Sequence, residues 1–204
     1  MTLIKICGIT NLTDALHAVH AGADALGFNF YHPSPRYIEP SKVREIIDKL
    51  PQNVLKVGVF VNEEAVLSIA NEAGVNALQL HGDETPEYCS KLKNWFVVKT
   101  LSVDEKFEAQ KCLEYEVDAI MLDAKHPNLR GGTGQVIDWS IARSIQQLGV
   151  KVILAGGLSP ENVQEAIKVV KPYAVDACSA LESDPGKKDQ QKVSTFIQTI
   201  RAMD

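Results

Sequence analysis

Residues 54–82 read VLKVGVFVNEEAVLSIANEAGVNALQLHG, and this stretch decides the fold. It opens on Val54–Val61, a β-rich apolar run without strict alternation, as expected of a strand buried on both faces. Asn62 before Glu63 and Glu64 is a helix start signal, a capping side chain followed by acids in the first turn. Gly74 after Ala73 is a stop signal. A second apolar run, Ala77–Leu80, follows at once. The unit is strand, loop, helix, tight turn, strand.

The same unit recurs in both directions along the chain. Further strand-like runs are Leu3–Cys7, Ala25–Phe30, Phe96–Leu101, Ala119–Leu122, Val150–Ala155 and Tyr173–Cys178. Thr85-Pro86-Glu87 and Ser159-Pro160-Glu161 each place a capping hydroxyl before a proline at the first helical position. Gly22 and Gly149 stop helical patterns that run over Asp14–Ala21 and Trp139–Leu148. Eight units of about 25 residues fill 204 residues. Alternation of this kind implies an α/β fold with a parallel sheet, and eight units permit closure into a (β/α)8 TIM barrel. The alternative is an open doubly wound sheet. The length leaves little room beyond the barrel, so residues 1–204 read as a single compact domain.

Composition narrows the function. Hydrophobic residues at 45% and charged residues at 23% are ordinary for a soluble globular chain with a sizeable core. A net charge of −5, with Lys187-Lys188 as the longest basic pair, argues against nucleic acid as a partner. No apolar run approaches the ~18–20 residues that span a bilayer, and Lys5 interrupts the N-terminal run, so neither a membrane segment nor a signal peptide is expected. Cys7, Cys89, Cys112 and Cys178 form no Cys-x-x-Cys pair and no His/Cys cluster, which predicts a reduced, cytoplasmic protein without a metal site.

In a barrel, chemistry sits where strands end and βα loops begin. Cys7 closes the first strand; its thiol is a candidate base or nucleophile, against the alternative of a small buried hydrophobe. Asp123 closes the sixth strand, where a carboxyl is costly unless hydrogen-bonded or used. The loop after it carries Gly131-Gly132-Thr133-Gly134, permissive backbone suited to a cover over the strand ends. Gly156-Gly157 after the seventh strand and Asp176–Ala180 after the eighth occupy the positions where such barrels often hold a phosphate. Arg36, on a backbone stiffened by Pro33 and Pro35, suits bidentate carboxylate recognition or is a solvated loop charge. His81 ends the fourth strand and reads as a hydrogen-bonding side chain rather than a metal ligand.

Taken together these motifs resemble the phosphoribosylanthranilate isomerases of tryptophan biosynthesis over nearly the whole chain. The resemblance is carried by Lys5-Ile-Cys-Gly-Ile-Thr10, Gly22-Ala-Asp-Ala-Leu-Gly-Phe28, Ser34-Pro-Arg36, Val57-Gly-Val-Phe-Val61 and Leu78-Gln-Leu-His-Gly82. It continues through Leu122-Asp123, Gly131–Gly134, Asp138-Trp139, Leu154-Ala-Gly-Gly-Leu158 and Pro185-Gly-Lys-Lys-Asp189. It implies a cofactor-independent (β/α)8 barrel that performs an Amadori rearrangement on a small phosphosugar, acting as a monomer or homodimer. By the same resemblance Asp123 is the general acid and Cys7 the general base. Arg36 meets the anthranilate carboxylate, and Gly156, Gly157, Ser179 and Ala180 surround the phosphate. Asp176 faces the sugar, and His81 contributes to substrate binding. An acid with a reference pKa of ~3.9 and a thiol of ~8.5 start on the wrong sides of neutrality for these roles, so their surroundings must tune them.

One stretch departs from the family pattern, which usually reads Asp-Val-Ser-Ser-Gly-Val-Glu where this chain has Asp176-Ala-Cys-Ser-Ala-Leu-Glu182. Cys178 replaces a serine, and Ala180 replaces a glycine whose N–H should approach the phosphate. The methyl is tolerable if φ is negative, which predicts a right-handed turn at Ala180. Rival readings are a ribulose-phosphate epimerase, which needs metal ligands at strand ends, or an indole-glycerol-phosphate synthase, which needs a catalytic lysine there. Only Lys99 lies near such a place. A catalytically idle phosphate-sensing barrel is the reading from a different class.

Overall fold

The structure is a computed structural model that describes residues 1–104, 106–124 and 139–203, without the side chain of Ala124. The loop motif Gly131–Gly134 and Asp138 lie outside the described residues. Eight parallel strands close into a barrel in the order β1 (Leu3–Cys7), β2 (Ala25–Asn29), β3 (Leu55–Phe60), β4 (Ala77–Leu80), β5 (Phe96–Val103), β6 (Ala119–Ala124), β7 (Val152–Leu154) and β8 (Ala174–Ala177). The seam is sealed by parallel β1–β8 pairing, with Ile6 opposite Ala177. Closure removes both sheet edges and decides against the open doubly wound alternative.

Helices α1 (Leu12–Ala21), α2 (Pro40–Ile47), α3 (Val66–Ala73), α4 (Pro86–Ser90), α5 (Trp139–Gln147), α6 (Val163–Val170) and α7 (Gln190–Arg201) pack outside the strands. After β5 the connection carries a 3-10 turn, Ala109–Glu114, in place of an α-helix. A short hairpin of β9 (Glu182–Asp184) and β10 (Lys187–Lys188) precedes α7. No helix among the described residues is long and apolar enough to cross a membrane.

Two of the helix starts differ from the sequence expectation. Asn62 lies at φ 50, with its N–H given to Glu84 Oε1 at 2.8 Å, so it cannot take the extended backbone of an N-cap, and α3 begins after Ala65. Ser159 does not cap α6 either. The Asn162 amide donates to the Gly157 carbonyl at 2.8 Å while its oxygen accepts from Ser159 N, folding 157–162 into a turn and delaying the helix to Val163. Thr85 caps α4 as expected, accepting from Tyr88 N.

Strand side chains alternate between two environments, as the period of two requires. Ile4, Ile6, Leu26, Phe28, Leu78, Leu80, Ile120 and Leu122 pack outward in the large core under the helices. Their neighbours in sequence turn into the barrel. The lower interior is apolar, with Val98, Ala119, Met121, Ile153 and Ala174 in one cluster and Ala25, Val57 and Ala77 in another. Toward the strand ends the inward residues become Lys5, Cys7, Gln79, Asp123 and Asp176, all buried. An apolar floor under a polar rim is what positions the site.

Candidate active site

A cleft of about 670 Å³, counting space open to solvent, sits over the carboxyl ends of the strands. That is within the ~300–1,000 Å³ usual for a small-molecule site. Cys7, Arg36, His81, Asp123, Gly156, Gly157, Asp176, Ser179 and Ala180, the residues singled out from the sequence, all line it. Strands separated by up to the length of the chain deliver them to one place because each stands at, or just beyond, the end of its strand.

On one side stands Cys7, at the end of β1. Its thiolate is favoured well below the ordinary thiol range, first by a hydrogen bond from Cys178, then, against the cost of burial, by the Lys5 and Lys188 ammonium groups. Lys5 lies two residues earlier on the same face and is buried, with Nζ 2.7 Å from Asp176 Oδ1. Burial opposes its charge, but Asp176 and Cys7 together hold the ammonium above the usual lysine range. Asp176 is pushed up to about 6 by burial, against the pull of Lys5 and with repulsion from Cys7 and Asp123 adding to it. One cation therefore serves two acids. Sequence reading took Lys5 as a break in an apolar run and as part of a family motif, without a role in the site; its i, i+2 relation to Cys7 on an inward face was the signal.

Across the cleft, Asp123 is 4% exposed, and its Oδ2 lies 3.3 Å from His81 Nε2. The other ring nitrogen of His81 contacts Gln79 Nε2 at 3.2 Å, so Gln79 orients the ring toward Asp123. The turn bearing His81 is itself clamped. Lys99 Nζ donates to the carbonyls of Leu80 and Gly82 and pairs with Glu84 at 2.6 Å, while Glu84 accepts from Gly82 N. Lys99 is 1% exposed and committed to this turn, which removes the lysine that the sequence offered to a synthase reading.

Arg36 meets a carboxylate within the chain. Its Nε and Nη2 donate to Glu182 Oε1 and Oε2 at 2.9 and 2.7 Å. The Glu182 hydrogen bond, outweighing burial, keeps the guanidinium charge firmly in place. Lys188 Nζ reaches Glu182 Oε1 at 2.9 Å, and these partners hold the Glu182 carboxyl below the usual range despite its burial. This pair uses two of the five guanidinium N–H donors and fixes the direction in which the others point. Glu182 and Lys188 went unnoticed as site residues because the hairpin brings them back from far along the chain, Glu182 lying 146 residues from Arg36 in sequence.

Gly156 and Gly157 have φ of 81° and 62°, two successive left-handed residues that leave bare backbone at the rim. Ala180 sits within a 3-10 turn, Ser179–Leu181, and is not among the non-glycine residues with positive φ. Its methyl is accommodated without strain.

The comparisons agree along the whole chain. The family model for N-(5'-phosphoribosyl)anthranilate (PRA) isomerase matches residues 4–199. The isomerase of Thermotoga neapolitana is 47% identical over 206 residues, covering all of both chains. The crystal structure of the Thermotoga maritima enzyme superposes with a TM-score of 0.92 at 44% identity, over 99% of this chain and 100% of that one. A phosphoribosylanthranilate isomerase solved in complex with reduced 1-(o-carboxyphenylamino)-1-deoxyribulose 5-phosphate gives 0.89 at 43% identity, with 99% and 100% coverage. On sequence, fold and cleft together, the chain belongs to the N-(5'-phosphoribosyl)anthranilate isomerase family.

Proposed function

We propose that this barrel converts N-(5-phosphoribosyl)anthranilate to 1-(2-carboxyphenylamino)-1-deoxyribulose 5-phosphate with Asp123 as general acid and Cys7 as general base. The aldose–ketose isomerase activity and its place in tryptophan biosynthesis are those of the family. The observation that carries the residue roles is that one cleft holds Cys7 beside cations and Asp123 beside His81.

Asp123 gives its proton to the furanose ring oxygen, the C1–O bond opens, and the anthranilate nitrogen completes a Schiff base. Cys7, as thiolate, removes the proton from C2, and the enolamine tautomerises to the ketone. Lys5 stabilises the thiolate before the proton moves. Arg36 takes the anthranilate carboxylate with the guanidinium donors that Glu182 leaves over. Gly156, Gly157, Ser179 and Ala180 hold the phosphate, and the cleft floor at Asp176 and His81 faces the sugar. The substrate is a free small molecule of cytoplasmic metabolism, taken by a monomer or homodimer.

The test is turnover followed by loss of the substrate's anthranilate fluorescence. Cys7→Ser and Asp123→Asn should each lower kcat by ~10²–10⁴-fold with KM changed little. Near-full turnover in either variant removes that residue from its role.

A further inference from the structure

We propose that Cys7 and Cys178 form a reversible oxidation site, in which a peroxide converts the two thiols to a disulfide across the β1–β8 seam. For the disulfide itself the inference needs only the chain; for its effect on turnover it rests on the reading of Cys7 above.

The fold places the two sulfurs together. Ile6 is in register with Ala177 on the adjacent parallel strands β1 and β8, and Cys7 and Cys178 come next, Cys7 as the last residue of β1 and Cys178 just past the end of β8. Such strands run ~4.8 Å apart, inside the ~4.4–6.8 Å between Cα atoms that a disulfide bridges. Both side chains turn to the same cleft: a Cβ on Gly8, the residue after Cys7, would lie 2.9 Å from Cys178 Sγ, and Cys7 and Cys178 line one cavity. Both sulfurs border the open cleft, where a small peroxide can reach them.

The two thiols differ in the way the chemistry requires. The surroundings favour the thiolate at Cys7 and, through Cys7 and burial, the thiol at Cys178. The Cys7 thiolate attacks one peroxide oxygen, the O–O bond breaks, and hydroxide leaves to give a sulfenic acid. With the negative charge on Cys7 gone, the force that held the Cys178 proton relaxes. Lys188 Nζ, 3.9 Å from Cys178 Sγ, and Arg36 then favour its thiolate. Cys178 attacks the Cys7 sulfur, the S–S bond forms, the S–O bond breaks, and the oxygen leaves as water. Two thiols lose two electrons and one peroxide becomes two waters. Cys89 and Cys112 lie elsewhere, buried, and both are pushed up to about 11 by desolvation, so they are inert by contrast.

The experiment is titration of the reduced chain with hydrogen peroxide, read by intact mass and peptide mapping. The expected result is a loss of two hydrogens, a bridged peptide pair containing Cys7 and Cys178, and dithiothreitol-reversible loss of activity in proportion to bridged chains. Cys178→Ser should show no bridge and should gain oxygen atoms on Cys7 instead. Oxygen addition on Cys7 without a bridge in the unmodified sequence, a bridge through Cys89 or Cys112, or no change in mass overturns the proposal. A Cys7–Cys178 bridge that leaves turnover intact supports the oxidation site and overturns Cys7 as the base.

Discussion

Gly27 of β2 stands in register with Cys7 of β1, and its missing side chain is what gives the Cys7 thiol its room. A Cβ at Gly27 would lie 2.7 Å from Cys7 Sγ and 3.1 Å from Lys5 Nζ. The first distance is an overlap, so something must move. Gly27→Ala should therefore displace the sulfur it crowds, and a misplacement of about 1 Å can cost ~10²-fold in rate. Overpacking of this kind costs ~1–3 kcal/mol in stability. The check is kcat beside a urea titration: a kcat loss far larger than the stability loss implies is expected, and unchanged kcat would show that Cys7 tolerates displacement.

Lys5 offers the pH test. Because the Cys7 thiolate is favoured below the ordinary thiol range, the acid limb of the rate should fall as pH drops through that lowered value, while loss of the Asp123 proton sets the opposite limb. Lys5→Met removes one of the two cations that favour the thiolate, so the falling limb of kcat/KM should move to higher pH. Far-ultraviolet thiolate absorbance should move with it. An unmoved limb would mean that Cys178 and Lys188 suffice. Removing the cation also leaves Asp176 buried without its partner, which typically costs ~3–5 kcal/mol unless the carboxyl takes up a proton.

The positions of these groups were legible to different degrees, for physical reasons. Strands buried on both faces announce themselves as apolar runs, so β1, β4 and the strand-end residues Cys7, His81 and Asp123 could be placed from spacing alone. Cap chemistry was less legible. Asn62 and Ser159 have capping side chains, but Glu84 and Asn162 recruit their backbone into the loops under the cleft. Least legible were the ion pairs. Lys5 meets Asp176 from 171 residues away, and only closure of the barrel brings β1 beside β8. Nothing local in either strand specifies that contact.

In the proposed roles, Arg36 recognises the substrate and Glu182 supports Arg36. Arg36→Met should raise KM steeply for a substrate bearing the anthranilate carboxylate, with a smaller change in kcat. Glu182→Gln should raise KM less, since the guanidinium remains but loses the bidentate partner that aims it. It should also cost ~3–5 kcal/mol of stability, because two cations, Arg36 and Lys188, lose one buried carboxylate. Calorimetric titration with the reduced product analogue, alongside urea unfolding, distinguishes the two. If Arg36→Met leaves analogue affinity unchanged, Arg36 is a structural partner of Glu182 and nothing more.

The rim proposed to hold the phosphate yields a paired prediction in opposite directions. Gly157 holds φ at 62°, where a side chain adds roughly 1–2 kcal/mol of strain, so Gly157→Ala should destabilise the chain by about that much. It should also weaken the analogue's affinity, because a relaxed backbone no longer presents the same N–H groups to the phosphate. Ala180 stands in a 3-10 turn and is not among the non-glycine residues with positive φ, so its methyl costs no backbone strain. Ala180→Gly should thus bring no gain in affinity and cost up to about 1 kcal/mol through the freedom it restores to the unfolded chain. The measurement is affinity for the phosphorylated analogue against its dephosphorylated form in each variant. A marked, phosphate-dependent gain in Ala180→Gly would show that the methyl does obstruct the anion, and that the turn observed here is not the conformation that binds it.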